Sequence, residues 1–532
     1  MAIEADGDGF ELSKRGHRHS FLFWRTLSRP LPRPTPTFDQ VAGTAASQEW
    51  RRTDPWGIAM SIAQKHSPSD WVAAFTSGLY APVNREVTGP PVAVIGEIPR
   101  NLNGIFVQNT PNPAFAPNPG HSWFDGDGMV HGVQFEDGKA TYRNRYVRTK
   151  GLDDDIAAGK ASYSGSLALP GQGPRHKNVA NTDLVHHNGR LLALWWEGGE
   201  PYELSLPDLK TIGTYDYNGT LNIGMTSHVK LDPATGELHF ISWGTRRPYL
   251  SVGVADATGR IARVTPVELP GPRVQHDVAL SNRYVGVFDF PLMIDMNRAE
   301  ALGFVLNDAK PARIGLVDRR DESAPVRWFE IKPCFMWHLM CAWDEGDDFV
   351  LLGARLDGAT RVDARGQVHD DRPMVDGEHR FDSQLYQWRL NTRDGTVREG
   401  VVDDLYIEFP RVNDAFICSG ARFGYAGAIQ MSARTLKAEG LAKFDLKTGR
   451  REQLRLPRGH FSNEPCFAAA DASTSEDDGY VLSFVSNEAE ATSELWIEAA
   501  QDFTKGPVAR IKLPQRVPAG FHTRWIPAAA LR

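Results

Sequence analysis

Short strand-like runs recur along most of this chain, and they constrain its fold more than any other feature. From about residue 90 onward, runs rich in β-branched and aromatic residues alternate with turn signals such as DPATG (232–236) and DLKTG (445–449). Long amphipathic helical patterns are scarce. The clearest runs are RLLALWW (190–196), LHFISW (238–243), YVGVFDF (284–290), RIGLVD (313–318), FVLLGARL (349–356), QLYQWRL (384–390), YVLSFV (480–485) and ELWIEA (494–499). Because radial repetition hides sheet edges, the pattern favours an all-β propeller, although no repeat signature fixes the number of blades.

The composition excludes several classes of protein. The 532 residues are 41% hydrophobic, which is typical of a globular chain. The formal net charge of −7 argues against nucleic-acid binding, which usually needs a basic face. No apolar run reaches the length of about 18 residues that would indicate a transmembrane helix. The four cysteines form no CxxC pair, which indicates a reducing compartment, and we expect the protein to be cytoplasmic.

The first part of the chain differs in composition from the rest. We expect residues 1–70 to be an N-terminal extension, partly extended because RPLPRPTPTF (29–38) is rich in proline, and residues 71–532 to form one domain. The stretch WVAAFTSGLYAPVN (71–84) carries no charge. It favours either a peripheral membrane contact through Trp71 and Phe75 or a helix buried against the domain.

The segment GHSWFDGDGMVHGV (120–133) contains two aspartates and four glycines. A calcium loop of the EF-hand type does not fit, because Met129 and Val130 stand where an oxygen ligand and a glycine are needed. Asp-Gly pairs between apolar runs instead predict a hairpin turn. His131, on the outgoing strand, is therefore interpreted as structural.

Four of the 16 histidines lie in apolar surroundings at the edges of strand-like runs: His228, His276, His338 and His522. Their wide spacing fits no local motif, but a propeller brings one loop of each blade to its axis. Taken singly, each is more typical of a buried core histidine than of a ligand. Neutral imidazoles together suit Fe(II), Zn(II) or Cu(II).

Three glutamates also lie in apolar settings: Glu197 in LWWEGG, Glu408 in YIEFP and Glu464 in SNEPCF. A carboxylate that accepts the second ring N–H of a metal-binding histidine fixes its tautomer and offsets the charge of the ion. Each glutamate is also consistent with an ordinary strand end, so the residues alone leave both interpretations open.

In this context FDGDGMVH, preceded by GIFVQNTPNP (104–113), resembles the fingerprint turn of the carotenoid cleavage oxygenases. The resemblance extends from about residue 90 to the end of the sequence through eight motifs in the same order. It implies a seven-bladed β-propeller with a loop and helix dome over an axial, non-heme Fe(2+). It also implies four histidine ligands, with three glutamates hydrogen-bonded behind them.

The implied ligands are assigned motif by motif. SHVKLDPATGEL resembles the motif of the first ligand and gives His228, and QHDVA gives His276. MWHLMCAWDEG gives His338, and GFHTRW gives His522. The glutamate motifs give Glu197, Glu408 and Glu464. Three departures from the family pattern are Cys341 in place of an asparagine, Val229 in place of a proline, and an extra tryptophan that makes Glu200 an alternative to Glu197.

The resemblance implies oxidative cleavage of a conjugated C=C bond of a carotenoid or apocarotenoid, with O2 as co-substrate and two carbonyl products. Stilbene cleavage is the first alternative, and Lys150 is the candidate to hold the phenol of a stilbene. The segment AFAPNPGHSWF (114–124) lacks the tyrosine that is typical of stilbene-cleaving relatives. An isomerohydrolase and a non-catalytic propeller are further alternatives. The expected partner is a hydrophobic polyene or stilbene, without an obligate protein partner.

Overall fold

The computed structural model describes residues 72–531, apart from 167, 169–170, 172, 175, 296–302, 307–309, 358–359, 363–367, 371–381 and 431–434. The predicted N-terminal extension and Trp71 therefore lie outside the described residues. All described residues belong to the unit Ala63–Arg532. Within this part of the chain, no helix is both long and apolar enough to cross a membrane.

Antiparallel sheets built from consecutive strands account for most of the fold. The first sheet joins strands from both ends of the domain: β1 (Thr88–Gly89), β3 (Gly104–Pro111), β4 (Gly128–Glu136), β5 (Lys139–Tyr146) and β34 (Thr523–Pro527). The second contains β6 (Asp183–His187), β7 (Arg190–Leu194), β8 (Tyr202–Leu204) and β9 (Thr211–Thr214). The third contains β10 (Lys230–Leu231), β11 (Leu238–Trp243), β12 (Leu250–Ala255) and β13 (Ile261–Val267).

The fourth and fifth sheets each carry a separate two-stranded hairpin. The fourth contains β14 (Ala279–Leu280), β15 (Tyr284–Asp289), β18 (Ala312–Asp318) and β19 (Arg327–Ile331), with the hairpin β16 (Leu292–Asp295) and β17 (Gly303–Leu306). The fifth contains β20 (Cys334–Glu345), β21 (Asp348–Asp357), β24 (Gln384–Asn391) and the first part of β25 (Val397–Val412), with the hairpin β22 (Thr360–Val362) and β23 (Val368–Asp370).

The second part of β25 passes into the sixth sheet, so the last sheets are hydrogen-bonded into one larger assembly. The sixth sheet adds β26 (Phe423–Ile429), β27 (Ala438–Asp445) and β28 (Arg450–Arg455). The seventh contains β29 (His460–Ser462), β30 (Cys466–Ala469), β31 (Gly479–Asn487), β32 (Thr492–Ala499), β33 (Ala509–Lys512) and β2 (Ala93–Gly96). The described residues thus form seven blades, and the predicted propeller is confirmed.

The helical elements among the described residues are short. The helix α1 (Lys150–Ala158) begins after Thr149, whose hydroxyl accepts from the Leu152 amide, and it ends at Gly159 in the left-handed conformation. The described 3₁₀ turns are Gly78–Tyr80, Trp123–Asp125, Asp414–Phe416, Ala500–Lys505 and Ala528–Leu531.

Strands such as β11 and β12 are buried on both faces because their blade packs between two neighbours. On β11, Leu238 and Phe240 pack with residues of the second blade, whereas Ile241 points the other way, to residues of the fourth. This alternation follows from the two-residue period of a strand. All eight strand-like runs identified in the sequence coincide with strands. The ring is closed by β34, which pairs with β3 in the register Phe106 to Trp525.

One edge strand of each sheet faces the axis of the ring. Edge strands of neighbouring blades contact one another. Examples are the pairs β34 and β6, β14 and β20, and the second part of β25 with β30. Residues at or near the ends of these strands therefore meet at the axis, although they are distant in sequence.

Candidate metal centre

The four predicted histidines lie at the axial edges of four blades. His228 and His276 lie just before β10 and β14, His522 lies directly before β34, and His338 lies within β20. His228 has a φ of 58°, in the left-handed region that residues other than glycine seldom adopt. Next to His338, the pairing of β20 with β21 shifts register between Met336 and Leu339.

The four imidazoles form one buried cluster, and none is more than 8% exposed. The ring centroid of His228 is 4.3 Å from that of His276, 4.4 Å from that of His522 and 5.0 Å from that of His338. The Nε2 atoms of His276 and His338 are 3.3 Å apart. Two nitrogens that bind one metal at right angles, each about 2.1 Å from it, lie roughly 3.0 Å apart.

The donor atoms of this cluster fit a metal ion. One ring nitrogen each of His228, His276 and His338 lie within 4.8 Å of one another. The buried Nε2 atom of His228 has no hydrogen-bond partner among the described residues. Buried polar atoms are normally satisfied, and a metal ion between the rings would satisfy this one. Neutral nitrogen donors suit iron, zinc and copper.

Two of the predicted glutamates lie directly behind the cluster. Glu408 Oε2 is 2.5 Å from Nδ1 of His338 and also accepts from the Phe409 amide at 2.7 Å. Glu464 Oε1 is 2.9 Å from Nδ1 of His522. Its other oxygen accepts from the amide and the hydroxyl of Thr523, at 2.5 and 2.7 Å. Donation from Nδ1–H to a carboxylate leaves the Nε2 lone pair of each ring for the metal.

Charge in this region favours neutral imidazole at His228 and ionised carboxylate at Glu464. Burial, and then the neighbouring imidazoles of His276 and His522, lower the pKa of His228 well below its usual value. Burial alone would raise the pKa of Glu464, but the neighbouring side chains of His522 and Arg411 lower it to about 2. The carboxylate can therefore offset the charge of a bound cation.

Glu197 differs from its prediction. Its Oε2 lies 2.7 Å from Nδ1 of His176, a side chain that is 71% exposed, and not beside one of the four clustered histidines. Glu197 lies in the turn after β7, where the Gly198 amide donates to the Trp195 carbonyl and Gly198 has a φ of 95°. The turn directs this carboxylate to His176. Glu200, the alternative, is exposed.

A buried ion pair that sequence reasoning did not predict joins three histidine-bearing segments. Lys230 binds Asp277 and donates to the His228 carbonyl at 3.0 Å. The second oxygen of Asp277 accepts from the Leu339 amide at 3.0 Å. Because Asp277 follows His276 and Leu339 follows His338, this pair holds the backbones beside three candidate ligands. The only sequence signal is that Lys230 and Asp277 stand within two residues of a candidate histidine.

Rings cover one side of the cluster, which we call the aromatic face: Phe124, Trp196, Trp337, Phe409 and Phe521. The centroid of Trp337 is 4.7 Å from that of His276, and Phe409 is stacked 5.0 Å from His338. Phe124 lies 6.4 Å from His276 and stacks on Phe521 at 5.2 Å. All five rings are at most 6% exposed, so this side of the site is buried and apolar.

A cavity of about 400 Å³, which we call the axial cavity, adjoins the cluster. His228, His338 and His522 line it, together with the charged side chains Asp183, Lys230, Asp277, Arg411, Asp414, Glu464 and Arg524. Arg411 and Arg524 both bind Asp414, at 3.1 and 2.8 Å. The cavity thus has charged groups among apolar side chains such as Val229 and Leu339, whereas the aromatic face is made of rings.

The remaining predicted residues lie elsewhere. Phe75 is 4% exposed and stacks on Trp123 with centroids 6.1 Å apart, so the prediction that Phe75 contacts a membrane is contradicted. The buried alternative for this stretch agrees with the structure at Phe75. The Lys150 side chain is 82% exposed and binds Asp154 at 2.7 Å, so the structure does not bring it to the histidines. His131 is buried, and its Nδ1 is 2.8 Å from the Tyr142 hydroxyl.

Comparison with known proteins places this arrangement in a family. The sequence model of the family described as RPE65, retinal pigment epithelial membrane protein, matches residues 80–527. The carotenoid 9,10(9',10')-cleavage dioxygenase 1 of Arabidopsis thaliana is 33% identical over 495 residues, which cover 85% of this chain and 89% of that protein.

Solved structures of two oxygenases are also similar to this chain. The lignostilbene dioxygenase of Pseudomonas brassicacearum matches with a TM-score of 0.76 and 27% identity, over 88% of this chain and 100% of that one. The cobalt-substituted apocarotenoid oxygenase of Synechocystis matches with a TM-score of 0.73 and 27% identity, over 87% of this chain and 99% of that one. The family match spans most of the sequence, and the chain therefore belongs to the RPE65 family of carotenoid cleavage oxygenases.

Proposed function

We propose that this protein is a non-heme Fe(2+) dioxygenase that cleaves a conjugated C=C bond of a carotenoid or apocarotenoid with O2. The products are two carbonyl compounds. The observation that carries the proposal is the buried cluster of His228, His276, His338 and His522 in a member of this family. When bound, the iron supplies O2 activation, and the protein supplies position, charge balance and a dry surface.

The four histidines are the proposed ligands. Glu408 and Glu464 set the tautomers of His338 and His522, and they contribute negative charge behind the rings. Glu197 is not part of this proposal, because it pairs with His176.

The aromatic face is the proposed position of the substrate. Rings such as Trp337 and Phe521 can pack along a flat polyene and exclude water from the reacting bond. No acid or base residue is needed on this side, since both oxygen atoms of the products come from O2. The apolar side chains of the aromatic face are consistent with a role in positioning the substrate rather than in proton transfer.

The substrate class is inferred from relatives and from two residue positions. The Arabidopsis relative bears the name of a carotenoid cleavage dioxygenase, and the Synechocystis structure that of an apocarotenoid oxygenase. A stilbene is the second candidate, favoured by the likeness to the lignostilbene dioxygenase. Against it, residues 114–124 contain no tyrosine and Lys150 is exposed at the surface. We therefore propose the carotenoid class.

The proposed compartment is the cytoplasm. Cys334, Cys341, Cys418 and Cys466 are all free thiols, and all are buried. Burial raises the pKa of the Cys341 thiol to about 12, so it stays protonated and unreactive. This set supports a protein that folds without disulfides.

Mass spectrometry of products from a panel of carotenoids, apocarotenoids and stilbenes tests the proposal. The iron-loaded protein should yield two aldehydes or ketones from a polyene, each carrying one ¹⁸O atom when the reaction is run under ¹⁸O2. Cleavage of stilbenes alone would favour the second candidate. An isomer or hydrolysis product formed without uptake of O2 would overturn the oxygenase assignment.

A further inference from the structure

The axial cavity extends from the protein surface to the histidines. Its exposed lining residues, which mark the mouth, are Pro233, Ala415 and Pro527. Its inner end is marked by His228, His338 and His522. One water molecule occupies about 30 Å³ in the liquid, so about 400 Å³ has room for an ion with much of its water shell.

The walls of this cavity carry a net negative charge. Its ionisable lining, apart from histidine, comprises four carboxylates and three basic groups, which gives 3 − 4 = −1: Asp183, Asp277, Asp414, Glu464, Lys230, Arg411 and Arg524. The lining thus has one more negative than positive group, which gives a slight electrostatic preference for cations over anions.

Each of these carboxylates already has a basic partner. Asp277 binds Lys230, and Glu464 lies 3.4 Å from Arg411. Asp414 binds both Arg411 and Arg524, and Asp183 lies 3.5 Å from Arg524. A cation would be attracted by such a wall but not held by it. The neutral imidazoles at the inner end are the first strong donors that it would meet.

The aromatic face has the opposite character. A divalent cation binds its water strongly, and hydrocarbon rings cannot replace that water. Phe124, Trp337 and Phe521 are buried and pack against one another or against the histidines. Passage of a hydrated ion past these rings is therefore disfavoured.

We propose that the axial cavity is the route by which a hydrated divalent cation reaches the four histidines. The inference rests on the proposed metal-dependent function. The ion and the substrate then reach the histidines from different sides. The ion arrives through the axial cavity, and the apolar substrate lies on the aromatic face. The rate of metal loading, rather than metal affinity, should then depend on charge at the cavity mouth.

Ala415 provides the test, because it is exposed, lines the mouth of the cavity and is not one of the proposed ligands. The matched variants are Ala415→Lys and Ala415→Glu, which place opposite charges at one position. The control is Ala157→Lys, which adds the same charge at an exposed position of α1 that does not line the cavity. Full-length protein stripped of metal is mixed with Co(II), and its visible absorption is followed by stopped flow.

A unit charge roughly 10 Å from the path of a divalent ion in water changes its local concentration by about fourfold. We expect Ala415→Lys to slow loading by about that factor and Ala415→Glu to accelerate it similarly at 0.01 M salt, where the screening length is about 30 Å. The difference should shrink at 0.15 M salt, and the final Co(II) content should equal that of wild type. Ala157→Lys should load like wild type.

Equal loading rates for both Ala415 variants and wild type at low salt would overturn the proposed route. Equal slowing by Ala157→Lys and Ala415→Lys would do the same, since it would show an effect of net charge alone. If the wild-type protein binds no Co(II) at all, the proposed metal-dependent function itself fails. The two failures are therefore distinguishable.

Discussion

Three of the four histidines border the axial cavity, whereas His276 packs against the aromatic face. On the cavity side, buried carboxylates and basic groups are paired around the rings. On the aromatic face, the same cluster meets Trp337 at 4.7 Å. One set of imidazoles thus separates a cavity that contains paired charged groups among apolar side chains from a face made of aromatic rings. Changes to the histidines or to the charged groups on the cavity side should therefore alter metal binding or stability. Changes on the aromatic face should alter substrate binding.

The largest effect is expected for His276→Ala. This change removes one of four donors and leaves a hole beside Trp337, so metal content should fall from about one ion per chain to less than about one tenth. Elemental analysis of protein purified with iron present measures this. His187→Ala is the control, because His187 is also buried but bonds to the Gly236 carbonyl. Full metal content in His276→Ala would remove His276 from the proposed ligands.

The next largest effect concerns the ion pair beneath the cluster. Asp277→Asn leaves the Lys230 ammonium buried without its countercharge, which typically costs about 3–5 kcal/mol of unfolding free energy. Urea unfolding of the metal-free protein measures the loss. In the exposed pair of Arg247 and Glu268, the change Glu268→Gln should cost less than about 1 kcal/mol. Equal costs for the two changes would mean that Asp277 does not hold the segments together.

A smaller effect is expected for Glu408→Gln, which keeps the shape of the side chain but removes its charge. Metal affinity should fall by roughly 10- to 100-fold, the usual range for a carboxylate behind a metal-binding histidine. Competition with a chelator measures this affinity. Glu197→Gln should change it by less than about threefold, because Glu197 pairs with the exposed His176. A large loss in Glu197→Gln would show that this carboxylate also supports the metal.

The smallest effect is expected on the aromatic face. Phe521→Leu removes the stack on Phe124 and should raise KM for a polyene by about threefold to tenfold, with metal content unchanged. Steady-state kinetics with one apocarotenoid measures it. The control, Phe503→Leu, alters an equally buried ring in the seventh blade and should affect stability alone. A loss of metal in Phe521→Leu would contradict the separation of the two regions.

The sequence predicted the strands and the four clustered histidines well, for physical reasons. Alternating apolar residues and Gly-rich turns act locally, so β11 and β31 coincide closely with their predicted runs. The four histidines attracted attention through their apolar surroundings, but their assignment as ligands, like the number of blades, came from the family resemblance.

The structure differs from the sequence predictions where contacts between distant residues determine the position of a side chain. The pairing of Glu197 with His176 depends on the turn at Gly198, and the burial of Phe75 depends on Trp123, some 50 residues away in sequence. The bond between Lys230 and Asp277 joins two blades. No local pattern in the sequence predicts which of several nearby partners such a side chain will choose.

The pairing of β34 with β3 has a consequence for metal-dependent stability. It brings Gly104 to Pro527, and closing so long a loop has an entropic cost. His522 directly precedes β34, so the histidine cluster is complete only when this pairing is formed. A bound ion therefore favours the closed ring over the unfolded chain by mass action. Availability of metal in the cell would thus influence how much of the chain completes its fold, and hence its abundance, as well as its activity.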